Sequence, residues 1–180
     1  MIKLASQSDQ SEAYREASAN NFIDQHEVRL RGVARLAHWD SDKFDLLCTL
    51  SVQLSQLLIR WSCNARDVHL LRALPERVVA TAARRHDQSI KVAFAIAQAC
   101  FPMPPPTRRL YDVTDAELPA DFVRAWPQIT VRLHEGGHGI RPWAQHANAA
   151  FVGQWALSLQ SSWNDRANRS FFPLVQRIYT

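Results

Sequence analysis

The stretch Asn64–His86, NARDVHLLRALPERVVATAARRH, predicts two short helices that meet at Pro75, and the rest of the chain can be read outward from it. Proline is favoured in the first turn of a helix, where its missing N–H leaves no hydrogen bond unmade. Glu76 beside it complements the helix dipole. The second helix has one apolar side, and its other side is strongly basic. A short turn between two helices followed by a basic face is typical of a DNA-binding helix-turn-helix unit.

Five side chains of this second helix are the predicted contacts with DNA. They are Arg77, Thr81, Arg84, Arg85 and Lys91. Arginine pairs with phosphates or with guanine edges through two parallel hydrogen bonds, and most of these contacts are expected to be with phosphates. The alternative is that the basic face is only a solvated surface, and the sequence leaves both interpretations open.

Positive charge is concentrated in the middle of the chain. The 180 residues carry a formal net charge of +4, yet residues 29–110 hold thirteen basic and six acidic side chains. Residues 1–28 are acidic on balance, and residues 111–180 are neutral. A basic region of this kind suits an anionic partner, most simply double-stranded DNA.

The segment before the helix pair has the clearest helical pattern in the sequence. Apolar residues between Lys43 and Trp61 recur on one helical stripe, formed by Leu47, Leu50, Leu54, Leu57, Leu58 and Trp61. Such a stripe must be buried, either in the core of the same chain or against a twin chain. The second possibility predicts an oligomer, and a homo-oligomer or a hetero-oligomer with another protein is expected.

A proline-rich segment, FPMPPP at residues 101–106, is the best candidate for a boundary. The predicted division is a flexible N-terminal arm (1–25), a helical core (26–101), a connector (102–110) and a C-terminal part (111–180). The C-terminal part can also pack on the core, so that both form one domain.

The C-terminal part is expected to contain one or two short strands or a glycine turn, followed by a long helix. Ile129 to Leu133 alternates enough for a short strand, and Pro142 can open a helix from Trp143 to about Trp163. The core stripe of that helix would be Ala147, Ala150, Phe151, Trp155 and Leu159. The predicted fold class is therefore a mostly α helical bundle with a helix-turn-helix-like pair.

HEGGH, at His134–His138, matches the HExxH signature of zinc metalloproteases in five residues only. On a helix, His134 and His138 would lie one turn apart and bind zinc, with Glu135 as the base that activates the bound water. Each glycine disfavours a helix by about 1 kcal/mol relative to alanine, and Pro142 follows closely. A glycine turn with solvent-facing histidines is the favoured interpretation, so no metal, cofactor or catalytic residue is predicted.

Three cysteines, Cys48, Cys63 and Cys100, are odd in number and widely spaced, which favours buried thiols over disulfides or a zinc site. No stretch approaches the roughly 18 uninterrupted apolar residues that cross a membrane. The N-terminus lacks the apolar core of a signal peptide. A cytoplasmic protein without membrane contact is expected.

Ile59 to Phe94 resembles the core of FlhD, one half of the bacterial flagellar master activator. The resemblance lies in a long amphipathic helix that ends in Arg60-Trp61, in Asn64, in the Leu-x-Ala-Leu step of Leu71–Leu74 and in the apolar end at Phe94. It implies an all-helical transcription activator that works as an oligomer on promoter DNA.

The connector and the segment after it are similar to FlhC, the partner subunit of FlhD. The shared features are the prolines of Met103–Pro106 and the step from Asp121-Phe122 to Trp126. The cysteine cluster with which FlhC binds zinc has no counterpart in this chain. Relatives of this regulator are found on mobile elements.

Three functions are open at this point. The first is a DNA-associated transcriptional regulator of bacterial or mobile-element type. The second is a non-catalytic helical adaptor, for example a component of a secretion apparatus, in which tryptophans and the C-terminal helix contact a protein partner. The third is a zinc-dependent hydrolase that uses HEGGH.

Overall fold

The computed structural model describes residues 7–37, 45–66 and 68–164, and helices make up most of these ranges. The α-helices are α1 (Gln7–Leu36), α2 (Asp45–Leu58), α3 (Asn64–Arg66), α4 (His69–Ala73), α5 (Glu76–Ala97), α6 (Ala120–Thr130) and α7 (Trp143–Asn164). A π-helical turn, Ile59–Cys63, continues α2, and 3-10 turns cover Leu110–Asp112 and Leu133–Glu135. The predicted mostly helical fold is confirmed, and the described ranges contain no strand.

α5 is the central helix, and its two halves have different surroundings. The first half buries one side only, formed by Val78, Val79, Ala82, Ala83 and His86. From Ser89 to Ala97 every side chain is buried, which explains why this apolar run shows no helical period in the sequence. The helix ends before Ala99, whose φ of 56° is left-handed.

α1 runs parallel to α5 and packs along it. Near the start of both helices, the Glu12 carboxylate lies 3.1 Å from Arg77. Further along both helices, the ring of His26 stacks on the ring of His86 with 5.4 Å between centroids. The second contact lies closer to the C-terminus of both helices than the first, so the two helices run in the same direction.

The N-terminal arm predicted over residues 1–25 is helical from Gln7 onward. Ala19 and Ile23, one helical turn apart, are buried in a cluster that also contains Val79 and Ala82 of α5. These two apolar positions in a polar segment are enough to place α1 on the core. Residues 1–6 lie outside the described ranges.

The proline-rich segment lies against α1. Arg31 donates hydrogen bonds to the carbonyls of Pro104, at 3.0 Å, and of Arg108. Its Nε also pairs with the buried Glu27 carboxylate at 2.9 Å, and Glu27 accepts the Leu110 N–H at 3.0 Å. An extended proline segment cannot pair its own carbonyls, so the partners have to come from elsewhere. The predicted domain boundary stays a prediction, and Arg31 and Glu27 are the contacts that hold the segment on the helical core.

The first turn of α7 is held by a side chain of α5. The two carboxylate oxygens of Asp87 accept hydrogen bonds from the backbone N–H of Trp143, at 2.6 Å, and of Ala144, at 2.8 Å. The start of a helix leaves such N–H groups without intrahelical partners, and a negative charge there also complements the helix dipole. Asp87 therefore acts as an N-terminal cap supplied by another helix.

The Trp143 ring fills the junction between α3, α5 and α7. It stacks on the buried His86 ring with 3.7 Å between centroids and 14° between planes. Its Nε1–H donates to the Asn64 carbonyl at 3.1 Å. The Asn64 side-chain amide in turn bonds the N–H and the carbonyl of Arg141, at 2.9 and 3.2 Å. One aromatic ring thus joins three helices.

The apolar stripe predicted on α2 and the core stripe predicted on α7 are largely exposed. On α2, the exposed residues are Leu50, Leu54, Leu57 and Trp61, and on α7 they include Trp155 and Leu159. α7 starts beside Asp87 and runs toward the N-terminal end of α5 at Glu76. Because α7 is longer than this part of α5, its C-terminal half extends past the end of α5. Only Ala147, Ala150 and Phe151 of the predicted α7 stripe are buried or partly buried.

Two local predictions are wrong. Ile129 and Thr130 end α6 and Leu133 opens a 3-10 turn, so the short strand is absent. The buried residues Phe122 and Ile129 are separated by seven positions, which is a helical spacing. Cys100 is exposed because α5 has already ended, whereas Cys63 is buried as predicted.

We expect Asp87→Ala to lower the free energy of unfolding by about 1–3 kcal/mol, because it removes two charge-assisted hydrogen bonds and a helix cap. Urea denaturation followed by circular dichroism measures this change. The matched control is Asp121→Ala, which removes an exposed carboxylate that pairs only within α6 and should change stability by less than about 0.5 kcal/mol. Equal losses for both variants would contradict the capping role.

Candidate nucleic-acid interface

The predicted DNA-contacting residues lie on α5, most of them on the outer side of its first half. Arg77 and Arg84 are exposed, and Thr81 and Arg85 are partly buried. The helical period places these residues away from the buried stripe that starts at Val78. Four of the five predicted residues therefore share one side of one helix.

Arg77 has an acidic neighbour on α1. Its Nε lies 3.1 Å from the Glu12 carboxylate, and its own side chain is 74% exposed. An exposed ion pair of this kind contributes at most about 1 kcal/mol. The guanidinium of Arg77 can therefore exchange this carboxylate for a phosphate.

Arg85 stacks on the ring of Tyr111, 5.0 Å from its centroid. The Tyr111 hydroxyl donates to the Asp24 carboxylate at 2.8 Å. Burial first, and then the hydrogen bond and the charge of Asp24, raise the pKa of Tyr111 to about 12, against a smaller opposing effect of Arg85 and Arg109. A guanidinium stacked on a ring still directs its N–H groups outward in the ring plane, where they can bind an anion.

Lys91 differs from the other predicted contacts because it is buried. Its ammonium lies 2.7 Å from the Asp115 carboxylate and 5.8 Å from the centroid of the Trp126 ring. One helical turn earlier, the Gln88 amide donates to the Val113 carbonyl at 2.6 Å. Lys91 and Gln88 together hold residues 113–115 on α5, and a DNA phosphate would have to displace Asp115 to reach Lys91.

An open cleft of about 460 Å³ lies beside Arg84 and Arg85 of α5. Its lining includes Arg84, Arg85, Gln88, Lys91, Tyr111 and Trp126. Cationic and aromatic side chains in one groove are the combination that nucleic-acid sites use for phosphates and for base rings. Asp87 also lines the cleft, but its carboxylate is engaged by the first amides of α7.

The sequence does not identify the aromatic part of this cleft. Tyr111 and Trp126 lie in later segments, and only tertiary folding brings them to α5. One signal was available for Tyr111, since it closely follows the basic pair Arg108-Arg109, and aromatic residues interleaved with basic ones favour nucleic-acid contacts. No sequence signal connects Asp87 with Trp143.

The HEGGH residues form a tight turn. Leu133–Glu135 is a 3-10 turn, and Gly136 ends it with a left-handed φ of 85°. A Cβ atom at Gly137 would lie 2.1 Å from the Val131 carbonyl oxygen, so this backbone approach requires glycine. His134 and His138 are therefore not aligned on successive turns of a helix.

The two histidines of HEGGH also have different surroundings. His134 is exposed, with its Nε2 3.8 Å from the Glu135 carboxylate, whereas the His138 ring packs edge-on against Phe94 at 5.1 Å. Within the described ranges, no group of three or more His, Cys, Asp or Glu side chains is arranged to hold a metal ion. The arrangement that a zincin needs, with Glu135 as base, is not formed by these residues.

Comparison of the chain with protein-family models, with curated proteins and with solved structures finds no match. Among the helices of the described ranges, none has the length and apolar character to cross a membrane.

Titration of the Tyr111 phenol should show the contribution of Asp24. With a pKa of about 12 in the folded chain and about 10 when unfolded, Tyr111 stabilises the fold below pH ~10. This stabilisation is lost as the pH rises through the folded value. Asp24→Asn should bring the phenolate midpoint down toward 10, because only burial then remains to raise it.

The phenolate signal is assigned as the difference between the parent chain and Tyr111→Phe in ultraviolet absorbance. Asp121→Asn, which removes a 95% exposed carboxylate on α6, serves as the control and should leave the midpoint in place. An unchanged midpoint in Asp24→Asn would contradict the hydrogen-bonded pair.

Proposed function

We propose that this chain is a DNA-associated regulator that binds duplex DNA through the outer side of α5. The observation that carries the proposal is the exposed basic row of Arg77 and Arg84, flanked by Thr81 and the stacked Arg85. Phosphate contacts from arginine supply most of the affinity of such interfaces and orient the protein on the duplex.

Arg84 is the centre of the proposed interface. It is exposed, and no ion pair of Arg84 is found with the residues that the structure describes. Arg77 lies two turns away along α5 and pairs with the partly exposed Glu12. Thr81 lies between them and supplies a hydroxyl that can donate to a phosphate oxygen.

Lys91 is left out of the proposed contacts, and its role is to anchor residues 113–115 through Asp115. The helix pair α4 and α5, joined at Pro75, supports a helix-turn-helix-like mode of docking. The resemblance of Ile59–Phe94 to FlhD supports the same function, a transcriptional activator working on promoter DNA.

The proposed interface predicts duplex-DNA binding whose log affinity falls linearly with log salt concentration. The double variant Arg77→Gln with Arg84→Gln should bind more weakly and should lower the slope by about 1.8, since each lost phosphate contact removes about 0.9. Fluorescence anisotropy with a generic duplex at several salt concentrations measures both quantities.

The matched control for this experiment is Arg124→Gln with Arg132→Gln, which removes two exposed arginines outside α5. Both double variants carry the same net charge, so an effect of net charge alone would lower the DNA affinity of both equally. A salt response that is flat, or equal losses in the two double variants, would overturn the proposed interface.

A second candidate function, the helical adaptor, is favoured by the distal half of α7. Val152, Trp155 and Leu159 lie at i, i+3 and i+7 on one side of this helix and are 57%, 53% and 38% exposed. A contiguous exposed apolar patch on a helix marks a protein contact more often than an idle surface. Tryptophan is also the residue type most enriched among interface hot spots.

If the adaptor function holds, Trp155→Ala should abolish the co-purification of one specific protein, identified by mass spectrometry, and should leave DNA affinity unchanged. The expected cost is at least about 2 kcal/mol of binding free energy, which is typical of a tryptophan hot spot. Tyr14→Ala is the control, because Tyr14 is a 74% exposed aromatic residue on α1. Retention of the partner by Trp155→Ala would remove this candidate.

A further inference from the structure

The outer face of α2 and of the π-helical turn Ile59–Cys63 that continues it, called the α2 face below, is an apolar stripe that the described part of the chain leaves uncovered. Leu50, Leu54, Leu57 and Trp61 are exposed by 52%, 51%, 43% and 65%. The opposite face carries Ser55, Ile59 and Cys63, which are buried. This segment is therefore apolar on both faces, and only one of them is covered by the core.

The spacing of the exposed residues is that of a coiled-coil seam. Steps of four and three positions separate Leu50, Leu54 and Leu57, which is the alternation of a and d positions in a heptad. Trp61 follows four positions later in the π-helical turn Ile59–Cys63 and extends the exposed stripe. A heptad seam is complementary to another helix that carries the same repeat. A second copy of α2 offers that repeat with identical side chains.

The size of the stripe matches what a pair of copies needs. Large apolar side chains present roughly 150–250 Å² each, so these exposures leave on the order of 400 Å² of apolar surface per copy. Two copies together would bury about 800 Å² of such surface, which is the size of a weak interface that dissociates on dilution. An apolar patch of this size equals the largest one on a typical monomer, and such a patch is often a contact site.

The charges along the helix select the antiparallel orientation. Residues 46–59 carry no charged side chain, so two seams meet without repulsion. Asp45 is the first residue of α2, and Arg60 lies in the π-helical turn that follows its C-terminal end. Antiparallel pairing brings these ends and the two helix dipoles together with opposite signs, whereas parallel pairing would place like charges side by side.

We propose that two copies of this chain pair through α2 in antiparallel orientation. In the register that uses all four exposed residues, Leu54 of one copy lies against Leu57 of the other, and Leu50 lies against Trp61. This pairing does not depend on DNA binding, and hydrodynamic measurements without DNA test it separately from the proposed function.

The first test is sedimentation equilibrium of the full chain. The parent chain should be a dimer that dissociates on dilution, and Leu54→Glu should raise the dimer Kd by at least about 100-fold, as expected for a charge in the centre of an apolar interface. Leu157→Glu, the same change at a 64% exposed site on α7, should leave the dimer intact. Unchanged circular dichroism shows that both variants remain folded.

The second test fixes the orientation by disulfide cross-linking in a Cys48→Ser, Cys100→Ser background. A mixture of Leu50→Cys and Trp61→Cys chains should form a mixed dimer, whereas either chain alone should not cross-link, because in antiparallel pairing like positions lie about 16 Å or more apart. Efficient cross-linking of each chain with itself would overturn the orientation. A parent chain that stays monomeric at all concentrations would overturn the pairing and leave another occupant, such as the apolar residues 171–175 of the same chain, for this face.

Discussion

The two hydrogen bonds between Asp87 and the first amides of α7 determine how the C-terminal helix sits on the central helix. Because Asp87 follows His86 directly, the same turn of α5 also supplies the ring on which Trp143 stacks. With this turn fixed against α7, the helical period leaves Arg84, one turn earlier, exposed. The candidate interface is thus oriented by a cap that lies next to it on the same helix.

Two buried charges fix the path of the chain between α5 and α6. Glu27 is 1% exposed and pairs with Arg31, which also binds carbonyls of the proline-rich segment. Lys91 is 7% exposed and pairs with Asp115. Removing one partner of such a pair leaves an uncompensated buried charge, which is far more costly than losing an exposed ion pair. A sequence rich in proline can thus follow one defined route over two helices.

Hydrophobic periodicity and the positions of prolines were sufficient to predict most of the helices. The pattern at Pro75 and Glu76 places the start of α5, and Pro142 places the start of α7. Periodicity could not show which stripes are covered, because burial depends on the length of the partner helix. This is why Trp155 was expected in the core and is exposed.

The candidate site was predictable only in part. The helix that carries the arginines could be located, since Arg77 and Arg84 follow the helical period opposite Val78. Their partners could not, because Tyr111 and Asp115 come to α5 by tertiary contacts that leave no local signature. Counting Lys and Arg in the middle of the chain therefore overstates the free positive charge, since Arg77 and Lys91 each have a carboxylate neighbour. A single copy presents one Arg84 to DNA, whereas a two-fold pair through α2 would present it twice. Such a pair would also match the two-fold symmetry of a palindromic site. If both proposals hold, the apolar α2 face and the basic face of α5 serve one mode of binding, in which pairing doubles the number of phosphate contacts.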